Sequence, residues 1–269
     1  MYKLIAIDID GTLLNDAHEL VVPVIERIKA AKQAGAKVVL CSGRPLVGLR
    51  HSLEQLELLD AEDYAITMNG AIVLKTKTGE IVADSALDKE ALQDIFAFCA
   101  PLGAHLTYLD ATKMYVPHEE ISILTCKDSL LLQTPLFYQP VDKAPNDIRI
   151  AKAMLLDEPE KIDEVVAALT KELQEKYYIV RSVPYNLEFL HKGVSKGTAL
   201  KQLADSLGIS RDEVMAIGDA ENDSTMLEYA GMPVVMDNAA EHIKQLGKFI
   251  TKTNNEAGVA YALEELVLK

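Results

Sequence analysis

The chain is 269 residues long and carries 27 Lys and Arg against 41 Asp and Glu, a formal charge of −14. With 49% hydrophobic and 25% charged residues it reads as an ordinary globular protein, which excludes disorder and collagen-like structure. The acidic excess and the lack of any basic block argue against nucleic acid or an anionic membrane surface as partner. At about 150 residues per domain the length suggests one large domain or two small ones. Cys41, Cys99 and Cys126 stand far apart and form no CxxC pair, so neither a disulfide framework nor a zinc site is expected. The short apolar run at the start is broken by two aspartates, and no long apolar stretch follows. A soluble, unexported, cytoplasmic protein is therefore expected.

Taken in chain order, Leu4 to Ile7 is continuously apolar, the pattern of a parallel strand buried on both faces. A helix follows, opened at Pro23, with Val24, Ile25, Ile28 and Ala31 at helical spacing and Gly35 as its stop. Val38 to Leu40 reads as a second buried strand. Pro45 opens a helix carrying Leu46, Leu49, Leu53 and Leu56, and Tyr64 to Met68 reads as a third strand. This βαβαβ order predicts an open parallel sheet. Asn69-Gly70 signals a two-residue hairpin or, equally, a residue that faces a substrate.

The middle of the chain follows another grammar. A Lys77-Thr78-Gly79-Glu80 turn joins two short strands, then alternating strands at His105 to Leu109 and Tyr177 to Val183 mix with helices at about 88 to 100 and 159 to 175. That pattern predicts an inserted α+β layer over 84–190 with a one-sided sheet. The first grammar then returns. A helix runs from Ser195 to Leu207, a Ser210…Glu213 capping box precedes a strand at Val214 to Ile217, a helix leads to Tyr229, Val234 to Met236 forms a strand, and a helix closes the chain from about Glu256. The fold class expected is α/β: a Rossmann-like parallel-sheet core built from 1–83 and 191–269, interrupted by the insertion.

Ligands of open parallel sheets bind at the carboxyl ends of the strands, where the strand order reverses. Polar residues gather at those ends: Asp8 and Asp10 after the first strand, Ser42-Gly43-Arg44 after the second, and Gly218 to Asp223 after a late one. Asp8 and Asp10 point the same way along extended chain and crowd two negative charges unless a cation or proton intervenes. Carboxylates without clustered His or Cys favour a hard ion such as Mg²⁺. The six histidines share no metal-ligand spacing. Asp219, Asn222 and Asp223 share one face of a first helical turn, as metal ligands or as helix caps. Ser42-Gly43 before a Pro45-initiated helix suits an anion or a plain N-cap. Lys196 in the first turn of a helix is electrostatically out of place unless an anion compensates it.

In that order, D-I-D-G-T at 8–12, C-S-G-R-P at 41–45, S-K-G at 195–197 and G-D-A-E-N-D at 218–223 resemble the motifs of the haloacid dehalogenase-like phosphatases, and within them the Cof-type sugar phosphatases with a large inserted cap. The resemblance implies an HAD-like core, an α+β cap over 84–190, and an Mg²⁺-dependent phosphomonoester hydrolase acting on small phosphorylated metabolites such as sugar phosphates. Asp8 would be the nucleophile that becomes an aspartyl-phosphate, and Asp10 the general acid and then base. Mg²⁺ would be held by Asp8, the backbone carbonyl of Asp10 and Asp219, with Asp223 either on the metal or behind it. Ser42, Gly43, Lys196, Asn222 and the N–H of Ile9 would cradle the phosphoryl group. Arg44 and Asn69 are candidate substrate contacts, as are Tyr108, Tyr115, His118 and Tyr185 of the cap. A phosphotransferase or phosphomutase of the same superfamily, a phospho-acceptor module and a sugar-phosphate-binding protein without turnover are the competing readings. The carboxylate of Asp10 argues against a stable phospho-aspartate switch.

Overall fold

The computed structural model describes residues 2–269. In chain order, β1 (Leu4–Ile7), α1 (Val22–Gln33), β2 (Lys37–Cys41), α2 (Leu46–Gln55), β3 (Tyr64–Thr67), β4 (Ile72–Lys75) and β5 (Ile81–Asp84) come first. Next are α3 (Lys89–Cys99), β6 (Leu106–Leu109), β7 (Met114–Val116), α4 (Ile123–Leu131), β8 (Leu136–Tyr138), β9 (Lys152–Leu156), α5 (Pro159–Ala168), α6 (Lys171–Lys176), β10 (Tyr177–Val183) and β11 (Asn186–His191). The chain ends with α7 (Lys196–Ser206), β12 (Val214–Gly218), α8 (Ser224–Tyr229), β13 (Met232–Val235), α9 (Glu241–Lys244), β14 (Phe249–Ile250) and α10 (Gly258–Leu266). It divides into two compact units, one made of the chain up to Asp84 with Ser195–Lys269, the other of Ser85–Val194.

The first unit holds an eight-stranded sheet in the order β14-β13-β12-β1-β2-β3-β4-β5. Pairing is parallel from β14 through β3 and antiparallel for β4 and β5. Every residue of β1 and β12 is buried, as their unbroken apolar runs require. Leu4, Ala6, Val39, Cys41, Val214 and Ala216 share one cluster with Ala199, Leu200 and Leu203 of α7 and Met226 and Leu227 of α8. Each such leucine contributes roughly 1.5–3 kcal/mol by leaving water. Successive β strands run outward from β1 in one direction through β2 and β3, and from β12 in the other through β13 and β14. The order therefore reverses at the β1/β12 pair, and ligands of such sheets bind beyond the strand ends at that point.

The second unit is a six-stranded sheet, β10-β11-β9-β6-β7-β8, antiparallel except for the β7/β8 pair. Leu106, Tyr108, Ala153, Leu155, Leu187 and Phe189 pack on Leu92 and Ile95 of α3 and Ile162 and Val165 of α5. The sheet is not one-sided in the simple sense expected. The alternate positions, turned to the other face, include Thr107, whose hydroxyl meets that of Thr125 on α4 at 3.1 Å, and a buried Lys152–Glu188 ion pair at 2.8 Å.

Three further elements differ from the sequence expectation. The helix expected over 159–175 is two helices, because Leu169 leaves the helical region and Thr170 restarts it as a cap that accepts from the Leu173 N–H. The closing helix begins at Gly258 rather than near Glu256, after a single 3-10 turn over Asn254–Glu256. The β3–β4 hairpin spans four residues, not two: Thr67 pairs with Ile72, and Met68, Asn69 and Gly70 all take positive φ.

Candidate active site

Four neighbouring strands of the first unit, β12, β1, β2 and β3, end on the same edge, and the predicted site residues follow them directly. Asp8 follows β1, and its backbone N–H donates to Ile217 of β12 at 3.0 Å. Its side chain is buried, and the Ile9 N–H donates to the carboxylate. Ser42 is also buried; its N–H donates to Ile66 and its hydroxyl accepts from the Arg44 N–H at 3.2 Å. Asn69 closes the row by donating its N–H to the Ser42 carbonyl at 2.9 Å. Its side-chain oxygen accepts from the Asn222 amide at 3.1 Å, and it lies where a side chain on Gly43 would fall. Asn69-Gly70 therefore forms a turn, longer than the two-residue one expected, and the Asn69 side chain lies at the site edge beside Gly43 and Asn222.

Lys196 is only 1% exposed although it starts α7. The close crossing of α7 and α8 carries it inward: Gly197 packs so tightly on the Thr225 backbone that a Cβ there would overlap the carbonyl oxygen. Its ammonium donates to Asp8 and to Asp223, 2.6 Å each. The misplaced cation of the sequence is thus balanced by two buried carboxylates. Burial pulls the ammonium down, but the Asp8 and Asp223 charges outweigh it and hold Lys196 above the ordinary lysine value. Burial pushes the Asp8 carboxyl up to about 7, against the pull of Lys196.

Asp223 serves as cap and ion-pair partner at once. One oxygen takes Lys196, and the other accepts the Asp219 and Ala220 N–H groups at 3.0 Å each. Asp219 accepts from the Thr12 hydroxyl at 2.6 Å, and burial raises its carboxyl above the usual range. Asp10 turns away from this group. Its side chain is 46% exposed, and the Arg44 guanidinium grips it through both Nε, at 3.0 Å, and Nη2, with His18 at 3.7 Å. Thr12, within the first motif, and Asn238, within M-D-N-A at 236–239, are assigned no role from the sequence, and both reach Asp219.

One carboxylate oxygen from each of Asp8, Asp219 and Asp223 lies within 4.8 Å of the others. Once ionised, three carboxylates against one ammonium leave two negative charges in a part-buried space, and all the donors are oxygen. A hard divalent cation fits both the charge and the donor set, and Asp8 and Asp219 keep the oxygens least committed to protein donors. The second unit's candidate residues each make contacts within that unit. Tyr108 is fully buried and its hydroxyl donates to the Gln139 carbonyl, Tyr115 stacks on it and bonds Asp110, and His118 accepts from the Leu106 N–H. Tyr185 lies under the Lys127 ammonium.

Fold and site together define a doubly wound α/β protein with a cluster of carboxylates around one buried lysine at its topological switch point, where such sheets place their ligands. The chain belongs to the haloacid dehalogenase-like hydrolases, whose family model matches residues 5–263. It is 44% identical over 268 residues to a Bacillus subtilis (strain 168) protein named "Putative phosphatase YxeH", covering 100% of this chain and 99% of that one. A haloacid dehalogenase-like hydrolase from Bacteroides thetaiotaomicron superposes with a TM-score of 0.87 at 28% identity, over 99% of this chain and 100% of that one. The subclass IIB sugar phosphatase BT4131 superposes with a TM-score of 0.76 at 25% identity, over 99% of this chain and 100% of that one. No helix among the described residues is long and apolar enough to cross a membrane.

Proposed function

We propose that the chain is an Mg²⁺-dependent phosphomonoester hydrolase that cleaves small phosphorylated metabolites, sugar phosphates foremost, through an aspartyl-phosphate on Asp8. The phosphatase names among its relatives support the reaction class, and the sugar phosphatase among its structural neighbours supports the substrate class. The observation that carries the mechanism is the contrast between two aspartates a residue apart. Asp8 is buried against Lys196, whereas Asp10 stands at the exposed rim beside Arg44. The motif resemblance assigns the roles to these two settings: Asp8 as the nucleophile, and Asp10, at the rim within reach of the leaving group and water, as the proton carrier.

In this reading an Asp8 oxygen attacks phosphorus, the bond from phosphorus to the ester oxygen breaks, and Asp10 delivers a proton to the departing alcohol. Asp10, now ionised, takes a proton from water as that water attacks the phosphoryl group, which frees Asp8 and releases phosphate. Lys196, Ser42, Gly43, Asn222 and the Ile9 N–H face the phosphoryl oxygens where charge accumulates. Arg44 and Asn69 meet the leaving group. Asp8, Asp219 and the Asp10 carbonyl would hold Mg²⁺, with Asp223 acting from behind through Lys196. When bound, the ion neutralises the surplus carboxylate charge and the phosphoryl oxygens. The catalytic core is the chain up to Asp84 with Ser195–Lys269, Ser85–Val194 is the inserted cap, a few residues beyond the expected 84–190, and the three free cysteines suit a cytoplasmic setting.

The test is phosphate release from a panel of phosphorylated metabolites with and without Mg²⁺, for wild type and Asp8→Asn. Release from sugar phosphates by wild type, lost in a folded D8N, is the expected result. Transfer of the phosphoryl group to a second sugar with negligible free phosphate would refute the hydrolase reading, and D8N turning over like wild type would refute the nucleophile.

A further inference from the structure

Asn238 lies in the loop after β13 and is exposed, so water could satisfy its amide, yet the protein uses both ends of it. Its oxygen accepts from the Asn254 N–H at 3.0 Å. Its nitrogen donates to the Gly11 carbonyl at 2.8 Å and lies 3.5 Å from Asp219 Oδ2. The orientation of this amide is fixed by chemistry, because a backbone N–H can only donate and a backbone carbonyl can only accept. The NH₂ end must therefore face Gly11 and Asp219.

The other Asp219 oxygen is held by Thr12. The carboxylate is thus held tightly at one oxygen by the loop after β1, while the amide of the loop after β13 stands at the long edge of hydrogen-bond reach from the other. Asn254 continues the network outward by donating to the Leu14 carbonyl at 3.1 Å and to Asp16 at 3.0 Å, and Asn255 donates to Asp16 at 2.9 Å. Those outer bonds tie the 11–16 loop down without touching Asp219.

We propose that Asn238 is a positioning residue that sets the Asp219 carboxylate for divalent-cation binding by bridging it to the Gly11 carbonyl. The inference rests on the reading of Asp8 and Asp219 as metal ligands given above. Partners behind a ligand orient it, and their loss typically costs about 10–100-fold in metal affinity. Asn238→Asp is nearly isosteric and keeps the acceptor for Asn254, but it sets an oxygen against Gly11 and Asp219 where a donor is required.

The experiment titrates Mn²⁺ into the full chain by calorimetry, for wild type, Asn238→Asp and Asn255→Ala, and measures phosphate release against Mg²⁺ concentration. N238D should bind Mn²⁺ about 10–100-fold more weakly while recovering most of its kcat at saturating Mg²⁺. N255A, which loses only the outer tie to Asp16, should bind as wild type does. If N238D does not fold, Asn238→Ala carries the same expectation. Unchanged Mn²⁺ affinity in the Asn238 variant, or an equal loss in N255A, would overturn the proposal and leave the network as a loop fastening. Failure of wild type to bind Mn²⁺ would instead overturn the metal site itself, and this proposal with it.

Discussion

Replacing Lys196 by Met removes the one cation from between two buried carboxylates while keeping an unbranched chain of similar length. The ammonium lies 2.6 Å from both Asp8 and Asp223, and all three side chains are nearly sealed from water. Breaking a buried pair by removing one partner costs about 3–5 kcal/mol. The lower end applies here, because Asp223 keeps two backbone N–H donors and Asp8 keeps the Ile9 N–H. At about 2–4 °C per kcal/mol for a chain of this size, a loss of about 3 kcal/mol lowers Tm by about 6–12 °C at pH 8.

The loss should also depend on pH. Asp8 in the folded protein is raised to about 7 from 3.8, so its neutral form is the favoured one, and its contribution is present at low pH and lost as pH rises toward that value. Without Lys196 the folded Asp8 rises further, so the part of the K196M deficit that comes from Asp8 is small near pH 5 and widens through neutrality, on top of the part left by the stranded Asp223. Thermal melts of both proteins across that range, with phosphate release measured alongside, make the check. A K196M that melts with wild type at pH 8, or a deficit that does not change with pH, would refute the argument. Adding Asp223→Asn should restore part of the lost stability, since it removes one of the stranded charges.

Asp10→Asn should slow hydrolysis of a sugar phosphate by about 10²–10⁴-fold, but that of an aryl phosphate, whose leaving group needs no proton, by much less; equal losses in steady-state assays would remove Asp10 as general acid. Mg²⁺ must compete with the proton on Asp8, so the rise in Tm that it produces should be small near pH 5 and level off above the Asp8 value of about 7. An Mg²⁺ shift independent of pH would exclude Asp8 as a ligand. Gly70→Ala meets two obstacles, φ of +97° and a Cβ that would overlap the Ser195 carbonyl oxygen. Backbone strain and overpacking at about 1–3 kcal/mol each should lower stability by at least about 2 kcal/mol in denaturant melts and displace Asn69 from the site edge; an unperturbed midpoint would show that the turn relaxes freely.

The sequence by itself determined the sheet and the row of acids at its edge. Unbroken apolar runs such as Leu4–Ile7 and Val214–Ile217 have no polar face to offer water, so they can only be strands buried on both sides. Asp8, Ser42 and Asp219 sit one residue past the ends of such strands, and parallel topology then puts them on one edge. Lys196 announced an anion through its clash with the helix dipole, though not which one. The tertiary structure decided what each polar group bonds. That Asp223 takes Lys196, that Arg44 grips Asp10 and that Asn238 reaches Asp219 are pairings between residues 27, 34 and 19 apart in the chain. No local periodicity records them, because a hydrogen bond is set by the last ångström of approach between loops. The same limit explains the hairpin at Asn69, where the dipeptide Asn-Gly favours positive φ but only the packing of Gly70 on Ser195 selects four residues over two.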